Sequence, residues 1–317
     1  MNFSAGQLEL DTADHRRGKY YISDGAEPDN EDLFQTRFFY KSKTSVPISA
    51  NFVAMILTDT HAHLYLNAFD DDRHNAITIA IAKGVRYLLL PNIDKYSITP
   101  MMDLVRDFPG NCFPMMGLHP TSVKEDFEEQ LEIVKAWLKK EKFCAIGEMG
   151  IDLYWDETYF PQQQEAFRVQ ASLAMNYGLP LVIHSRESFD EIFQLLDEVW
   201  KPGLKGVFHC FTGNLEQAEH IIGLGFKLGI GGVLTYKNSG LPEVIKEISL
   251  EHILLETDAP FLAPVPYRGK RNESSYIPVI AQKIAEIKNE SLSEIARITT
   301  QNTINLFNLP QLNTKNS

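Results

Sequence analysis

From Met55 onward, short apolar runs alternate with longer amphipathic stretches. The runs read ILTDTHAHL, VRYLLLPNI, CFPMMGLHP, CAIGEMGID, LPLVIHS, GVFHCF, FKLGIGGVL and ILLETDAPF. Their apolar parts are continuous, as in strands buried on both faces of a parallel sheet. The stretches between them read as helices. VKEDFEEQLEIVKAWLKKE sets Phe127, Leu131, Val134 and Leu138 on one face. FPQQQEAFRVQASLAMNYG places Pro161 near a helix start and Gly178 at its stop. Eight strand–helix units in about 250 residues match the size of an α/β fold of the (β/α)8 TIM-barrel type, expected here over residues 55–310. A doubly wound open sheet is the alternative, but such sheets run to fewer strands.

Residues 1–54 lack this rhythm. DGAEPDNED is a solvated acidic run, and LFQTRFFY alternates weakly, as an edge strand would. Met55 lies directly before the first clear strand. Residues 1–54 are therefore expected to be an accessory extension: a flexible arm, an added edge strand, or an upstream piece translated from an early start. Residues 311–317 are expected to be a tail.

The apolar runs mostly end in residues that a core would not choose. The first closes with His61 and His63, the third with His119, and the fourth with Glu148 and Asp152. The fifth closes with His184 and Arg186, the sixth with His209, and the eighth with Glu256 and Asp258. A parallel barrel opens the carboxyl ends of all its strands onto one face, where active sites form, so these distant positions converge. His61 and His63, two residues apart, point to the same side of a strand. Imidazole and carboxylate without thiolate suit zinc, manganese or iron, or magnesium with more oxygen donors. Four histidines with Glu148 and Asp258 exceed what one catalytic ion needs. Two ions about 3.5–4 Å apart, sharing a carboxylate, are the simplest arrangement, able to activate a water and stabilise attacking and leaving oxygens.

Each residue also has a plainer reading. An H-x-H pair can close a strand as polar edge, Glu148 can cap the following helix, and Asp258 can set up the turn before Pro260. Jointly those readings require the same uncommon ending on strand after strand, which one metal site explains at once. His119, before Pro120, is expected to touch substrate. His15, His74, His220 and His252 read as surface or structural, and Asp59 as outer support for the His61–His63 pair.

Composition narrows the partners. A net charge of −12 disfavours broad binding to nucleic acid, which needs a basic surface. Bound divalent cations and one basic loop can still supply local positive charge. Cys112, Cys144 and Cys210 are odd in number and far apart, so neither a disulfide framework nor a Cys-based zinc site is expected. No apolar run approaches a membrane span, and MNFSAGQLEL lacks the basic and apolar regions of a signal peptide. A cytoplasmic monomer, away from membranes, is expected.

The motifs THAHL, GLHP, GEMGID, PLVIHSRES, FHCFTGN, GGVLTYKN, LLETDAPFLAP and YRGKRNESSY occur in an order that resembles the TatD family of metal-dependent hydrolases. The resemblance covers roughly residues 55–308, including Asn302 and Leu306-Phe307. It implies a (β/α)8 barrel of the amidohydrolase-like group. It also implies a divalent-metal-dependent DNase, in known members often a 3′→5′ exonuclease on single strands. By the resemblance, His61, His63, Glu148 and Asp258 hold one metal ion and Glu148, His184 and His209 the second, with Glu148 bridging. Asp258 is then also placed to accept the proton of the attacking water. Two positions depart from the family pattern. Thr121-Ser122 follow His119-Pro120 where the family often carries a second histidine, which bears on substrate-side hydrogen bonding. Ser274 replaces the usual proline of the basic loop and is expected to change little.

The expected function is phosphodiester hydrolysis with two divalent ions (Mg, Mn or Zn), acting on DNA that is single-stranded or presents 3′ ends. Glu148 and Asp258 are the expected catalytic residues. His119, Arg186, Lys237, Arg268 and Arg271 are expected to contact substrate, with Lys270 in the same basic cluster. Tyr154, Trp155 and Phe211 are candidates for stacking on bases. The rival readings are an amidohydrolase or aminoacyl-tRNA deacylase on the same barrel, and a non-catalytic binding module, against which the intact ligand set argues.

Overall fold

A computed structural model of the chain describes residues 55–311. Residues 1–54, LFQTRFFY among them, and the tail from 312 onward lie outside the described residues, as do the expectations made for them. Each apolar run contributes one strand. They are β1 Leu57–Asp59, β2 Val85–Leu90, β3 Cys112–Pro114, β4 Ile146–Asp152, β5 Leu181–Arg186, β6 Gly206–Phe208, β7 Lys227–Ile230 and β8 Ile253–Leu255. Every pairing is parallel, β1 to β3 in one group and β4 to β8 in another. Two seams join the groups. The Met116 amide donates to the Ala145 carbonyl, and the Gly147 amide to the Met116 carbonyl, both at 3.1 Å. On the other side, the Thr60 amide donates to the Leu255 carbonyl at 2.9 Å. The sheet thus closes into the expected (β/α)8 barrel.

The helices follow their sequence signals. They are α1 Arg73–Ala82, α2 Ile98–Asp107, α3 Phe127–Lys140, α4 Phe160–Tyr177, α5 Phe189–Val199, α6 Leu215–Gly223, α7 Leu241–Glu247, α8 Ile277–Lys288 and α9 Leu292–Phe307. α3 buries Leu131, Val134 and Leu138, as their spacing predicts. α4 carries Pro161 in its first turn and stops at Gly178, whose φ of 64° is a conformation glycine adopts without a Cβ clash. Among the described residues, no helix is long and apolar enough to cross a membrane.

Side chains alternate between two cores. Tyr87, Leu89, Met115, Val182, Val207 and Leu254 share one buried cluster, while their neighbours Leu88, Leu90, Ile183, Phe208 and Leu255 pack in another with the helices. Leu306 and Phe307 of α9, with Leu309, complete the first cluster. The Tyr87 hydroxyl donates to the Pro310 carbonyl at 2.9 Å. The last helix therefore plugs one end of the barrel. Two residues further along the same inward columns, Val182 leads to His184, Val207 to His209 and Leu254 to Glu256. Each buried Leu or Val contributes on the order of 1.5–3 kcal/mol, which fixes the strands beneath the polar layer.

Candidate metal centre

The β1–β8 seam assembles one side of the centre. His61 and His63 lie just beyond β1 and flank Ala62, which bridges to Ala259 after β8. The Asp258 amide donates to the His61 carbonyl at 2.8 Å, which sets Asp258 across from both imidazoles. Asp258 has a φ of 58°, an uncommon state for a residue with a side chain, and one that gathers at functional sites. Asp59 supports both strands, in the role expected for it. Its carboxylate accepts from the His61 amide (3.3 Å), the Thr257 amide (2.9 Å) and the Thr257 hydroxyl (2.6 Å). Burial pushes the Asp59 carboxyl up to about 7 against these bonds.

Glu148 on β4 is the hub. Its Oε2 lies 3.0 Å from His61 Nε2 and 3.4 Å from His63 Nε2. Its Oε1 lies 2.9 Å from His184 Nδ1, 3.0 Å from His209 Nε2 and 3.2 Å from His119 Nε2. Asp258 Oδ1 completes the group at 3.8 Å from His61 and 3.6 Å from His63. The structure therefore brings together all six residues read as ligands, plus His119. Their donor atoms fall into sets within 4.8 Å of one another: His61, Glu148 and His209; His61, His63 and Asp258; His119, Glu148 and His184.

The hydrogen bonds on the outer ring nitrogens decide which imidazoles offer a lone pair. Tyr65 donates its hydroxyl proton to the Pro91 carbonyl (2.5 Å), so it accepts from His63 Nδ1 (2.8 Å), and once the ring is neutral its lone pair lies on Nε2, toward the centre. Asp152 accepts from His184 Nε2 at 2.8 Å, which frees Nδ1. Glu256 stands 3.4 Å from His209 Nδ1. Its seat exists because residue 229 is glycine, where a Cβ would lie 2.1 Å from Glu256 Oε2. His61 and His63 turn their Nε2 atoms toward each other at 3.2 Å. Imidazoles converging on a carboxylate, with the outer nitrogen of His63 held by a hydroxyl and that of His184 by a carboxylate, are what a divalent cation requires. The residues fit such an ion.

His119 is built differently. Its Nδ1 accepts from the Thr121 amide at 3.1 Å, so Nε2 carries the proton. It faces the centre as a donor, consistent with contacting substrate and not a metal. Thr121, which with Ser122 stands where the family often carries a second histidine, also places its hydroxyl 2.7 Å from Nδ1.

Without an ion, protons hold the positive charge. Burial depresses His61 and His119. Burial also opposes protonation of His63, but hydrogen bonds to Asp258 and Glu148 carry it up to about 9. Glu148 sits well below the usual carboxylate range although burial alone would raise it, because His119, His209 and His61 surround it. A ligand nitrogen must give up its proton to bind metal. Loading an ion at pH 7 is therefore expected to release protons, with affinity rising as pH climbs toward about 9. Calorimetry in buffers of different ionisation enthalpy measures this, and metal uptake without proton release would contradict it.

Three supporting residues had been given no role: Tyr65, which was not singled out, and Asp152 and Glu256, which were noted only as polar strand ends. The signal was present in the spacing, since Tyr65 follows His63 by two and Glu256 precedes Asp258 by two. Asp152→Ala is expected to weaken metal affinity by about 10- to 100-fold, since His184 loses the group that orients it. A metal titration of the variant checks this.

The expected substrate contacts divide. Arg186 is exposed at the end of β5, and Lys237 and Arg268 are exposed on the segments that follow β7 and β8. Arg271 is not brought to the centre. Its guanidinium grips Asp72 through two bonds of 2.7 Å and reaches Glu273 at 3.0 Å, so its donors are spent on tying the loop to the barrel. Phe211 is buried against Phe189, which removes it as a stacking surface. Ser274 is buried at the start of a short turn and not in open loop. His74 pairs with Asp107 at the surface, and His220 stacks on Phe193.

Comparison with known proteins gives consistent matches. A family model described as TatD related DNase matches residues 58–308. YabD of Bacillus subtilis, described as an uncharacterized metal-dependent hydrolase, is 40% identical over 255 residues, covering 80% of this chain and 100% of YabD. The 3′-5′ ssDNA/RNA exonuclease TatD of Erwinia tasmaniensis is 32% identical over 258 residues, covering 79% of this chain and 99% of that one. Among solved structures, YjjV, a TatD homologue from Escherichia coli, aligns with a TM-score of 0.76 at 32% identity, covering 80% of this chain and 98% of that one.

Proposed function

Since the chain belongs to the family of TatD related DNases, and so is a metal-dependent hydrolase, we propose that it cleaves DNA, removing nucleotides from the 3′ ends of single strands. The observation that carries the reading is the convergence of imidazole nitrogens on the Glu148 carboxylate, with His63 and His184 oriented by hydrogen bonds on their outer nitrogens. The Erwinia relative, an exonuclease on single-stranded DNA and RNA, supports the choice of substrate.

In this proposal His61, His63, Glu148 and Asp258 hold one divalent ion, and Glu148, His184 and His209 a second. The ions are Mg, Mn or Zn. When bound, they supply Lewis acidity toward the phosphoryl group and acidify the attacking water. Asp258 takes the proton of that water. Its side chain is 15% exposed against 2% for Glu148, so of these two carboxylates it is the one that solvent reaches. Burial would raise Asp258, but the His63 hydrogen bond and the imidazole charges hold it below its usual value, ionised and able to accept. His119 donates Nε2–H to a phosphoryl oxygen. Arg186, Lys237 and Arg268 meet neighbouring phosphates and supply local positive charge on a chain of net charge −12.

The test compares two substrates across Mg, Mn and Zn. A 3′-labelled single-stranded oligonucleotide is expected to lose nucleotides stepwise, and charged tRNA to keep its amino acid. Release of amino acid alone, with the oligonucleotide intact under every metal, would replace the nuclease by a deacylase.

A further inference from the structure

Beyond β4 the chain turns outward through Tyr154 and Trp155, and the turn is anchored to the metal centre. One oxygen of Asp152 accepts from the amides of Tyr154 and Trp155, both at 3.1 Å, while the other holds His184 at 2.8 Å. Asp152 is 1% exposed. A buried carboxylate thus fixes two aromatic residues relative to a candidate metal ligand. Both rings nevertheless stand in solvent, Tyr154 at 39% and Trp155 at 47% exposure. They meet edge to face at 5.0 Å. The Arg186 guanidinium, at the end of β5, lies 3.8 Å from the centre of the Tyr154 ring and 5.2 Å from that of Trp155. Beside Trp155 a narrow cleft is lined by Lys124, Asp152 and the Pro120-Thr121 turn that positions His119.

We propose that Trp155 and Tyr154, braced by Arg186, form the stacking face for an unpaired base of the strand being cut, and that this face sets a preference for single strands. The inference rests on the nuclease reading above. Stacking on an aromatic ring is tolerant of sequence, because every base has a π-face, and an adjacent cation meets the backbone. The location fits that role. The face shares Asp152 with His184, which ties it directly to the candidate metal centre. A base held there must leave its own stack. A single strand gives up little to do so, whereas a duplex must break a pair as well. Arg186 acquires a second duty: its contact with Tyr154 holds the charge beside the stacking face.

The test is a cycle between protein and ligand. The full chain, loaded with Mg, is titrated against 5′-fluorescein nonanucleotides with phosphorothioate linkages, read by anisotropy. One carries all its bases, and the other is abasic at its two 3′-terminal positions. The intact protein is expected to favour the base-bearing ligand by about tenfold, the effect of one stacked base. Trp155→Ala is expected to bind both ligands equally, and Trp155→Phe, which keeps a ring, to retain most of the difference. Metal content of each variant reports on the centre beneath. If Trp155→Ala weakens both ligands by the same factor, or neither, the stacking face is wrong while the nuclease reading stands. If the intact protein binds neither ligand, the nuclease reading falls and takes this inference with it.

Discussion

Glu148→Gln is expected to cut turnover by on the order of a thousandfold or more while the barrel still folds. The reason lies in what surrounds the side chain. Five imidazoles approach its two oxygens within 3.4 Å. Glutamine keeps the shape and one acceptor, but it removes the negative charge that would let His61, His63, His184 and His209 share divalent cations. Metal affinity is expected to collapse with activity. Folding is spared because the metal-free protein has an outlet: imidazoles that Glu148 holds protonated can release their protons, so no uncompensated buried charge remains. Metal analysis, the melting temperature and a rate on the labelled oligonucleotide check the three parts. A variant that keeps both its metal and near-normal turnover would refute the shared-carboxylate centre.

Asp258→Asn probes a different step. The amide retains an oxygen toward the centre but cannot accept a proton. The expected loss in kcat is about 10²- to 10⁴-fold, the range for removing a general base, with a smaller fall in metal occupancy than in Glu148→Gln. The pH profile separates the roles. If Asp258 works as the base, the deficit narrows at high pH, where solvent hydroxide substitutes for it. If it serves only as a ligand, the deficit tracks metal content and is erased by saturating metal. Rates measured at saturating metal across the pH range give one answer or the other.

The barrel was legible because parallel strands are buried on both faces. Their apolar runs stand out, and so do the polar residues that end them, such as His184 two positions after Val182. Helix punctuation was equally plain at Pro161 and Gly178. The candidate ligands could be named, but the hydrogen bonds that orient them could not. His63 is set by Tyr65, whose direction depends on the Pro91 carbonyl, and His184 by Asp152 across a strand pair. Those bonds are products of closure. The basic loop misled for a similar reason. Arg271 lies beside Arg268 and Lys270 in the chain, yet its partner is Asp72, which no local pattern announces. Phe211 looked like its neighbour residues at the strand end, but inward packing on Phe189 claims it.

The β1–β8 seam also bears on synthesis. His61 and His63 emerge from the ribosome early. Asp258 and the plug residues Leu306 and Phe307 emerge late. Thr58 and Thr303 hydroxyls meet at 3.1 Å, and Thr300 donates to the Ile56 carbonyl at 2.9 Å, so β1, already paired with β2, completes its packing only when α9 has appeared. Domains that fold as units during translation wait for their last element. The nascent chain thus carries a histidine pair whose carboxylate partner across the seam does not yet exist, and the candidate metal centre is completed only after nearly all of the barrel has been made.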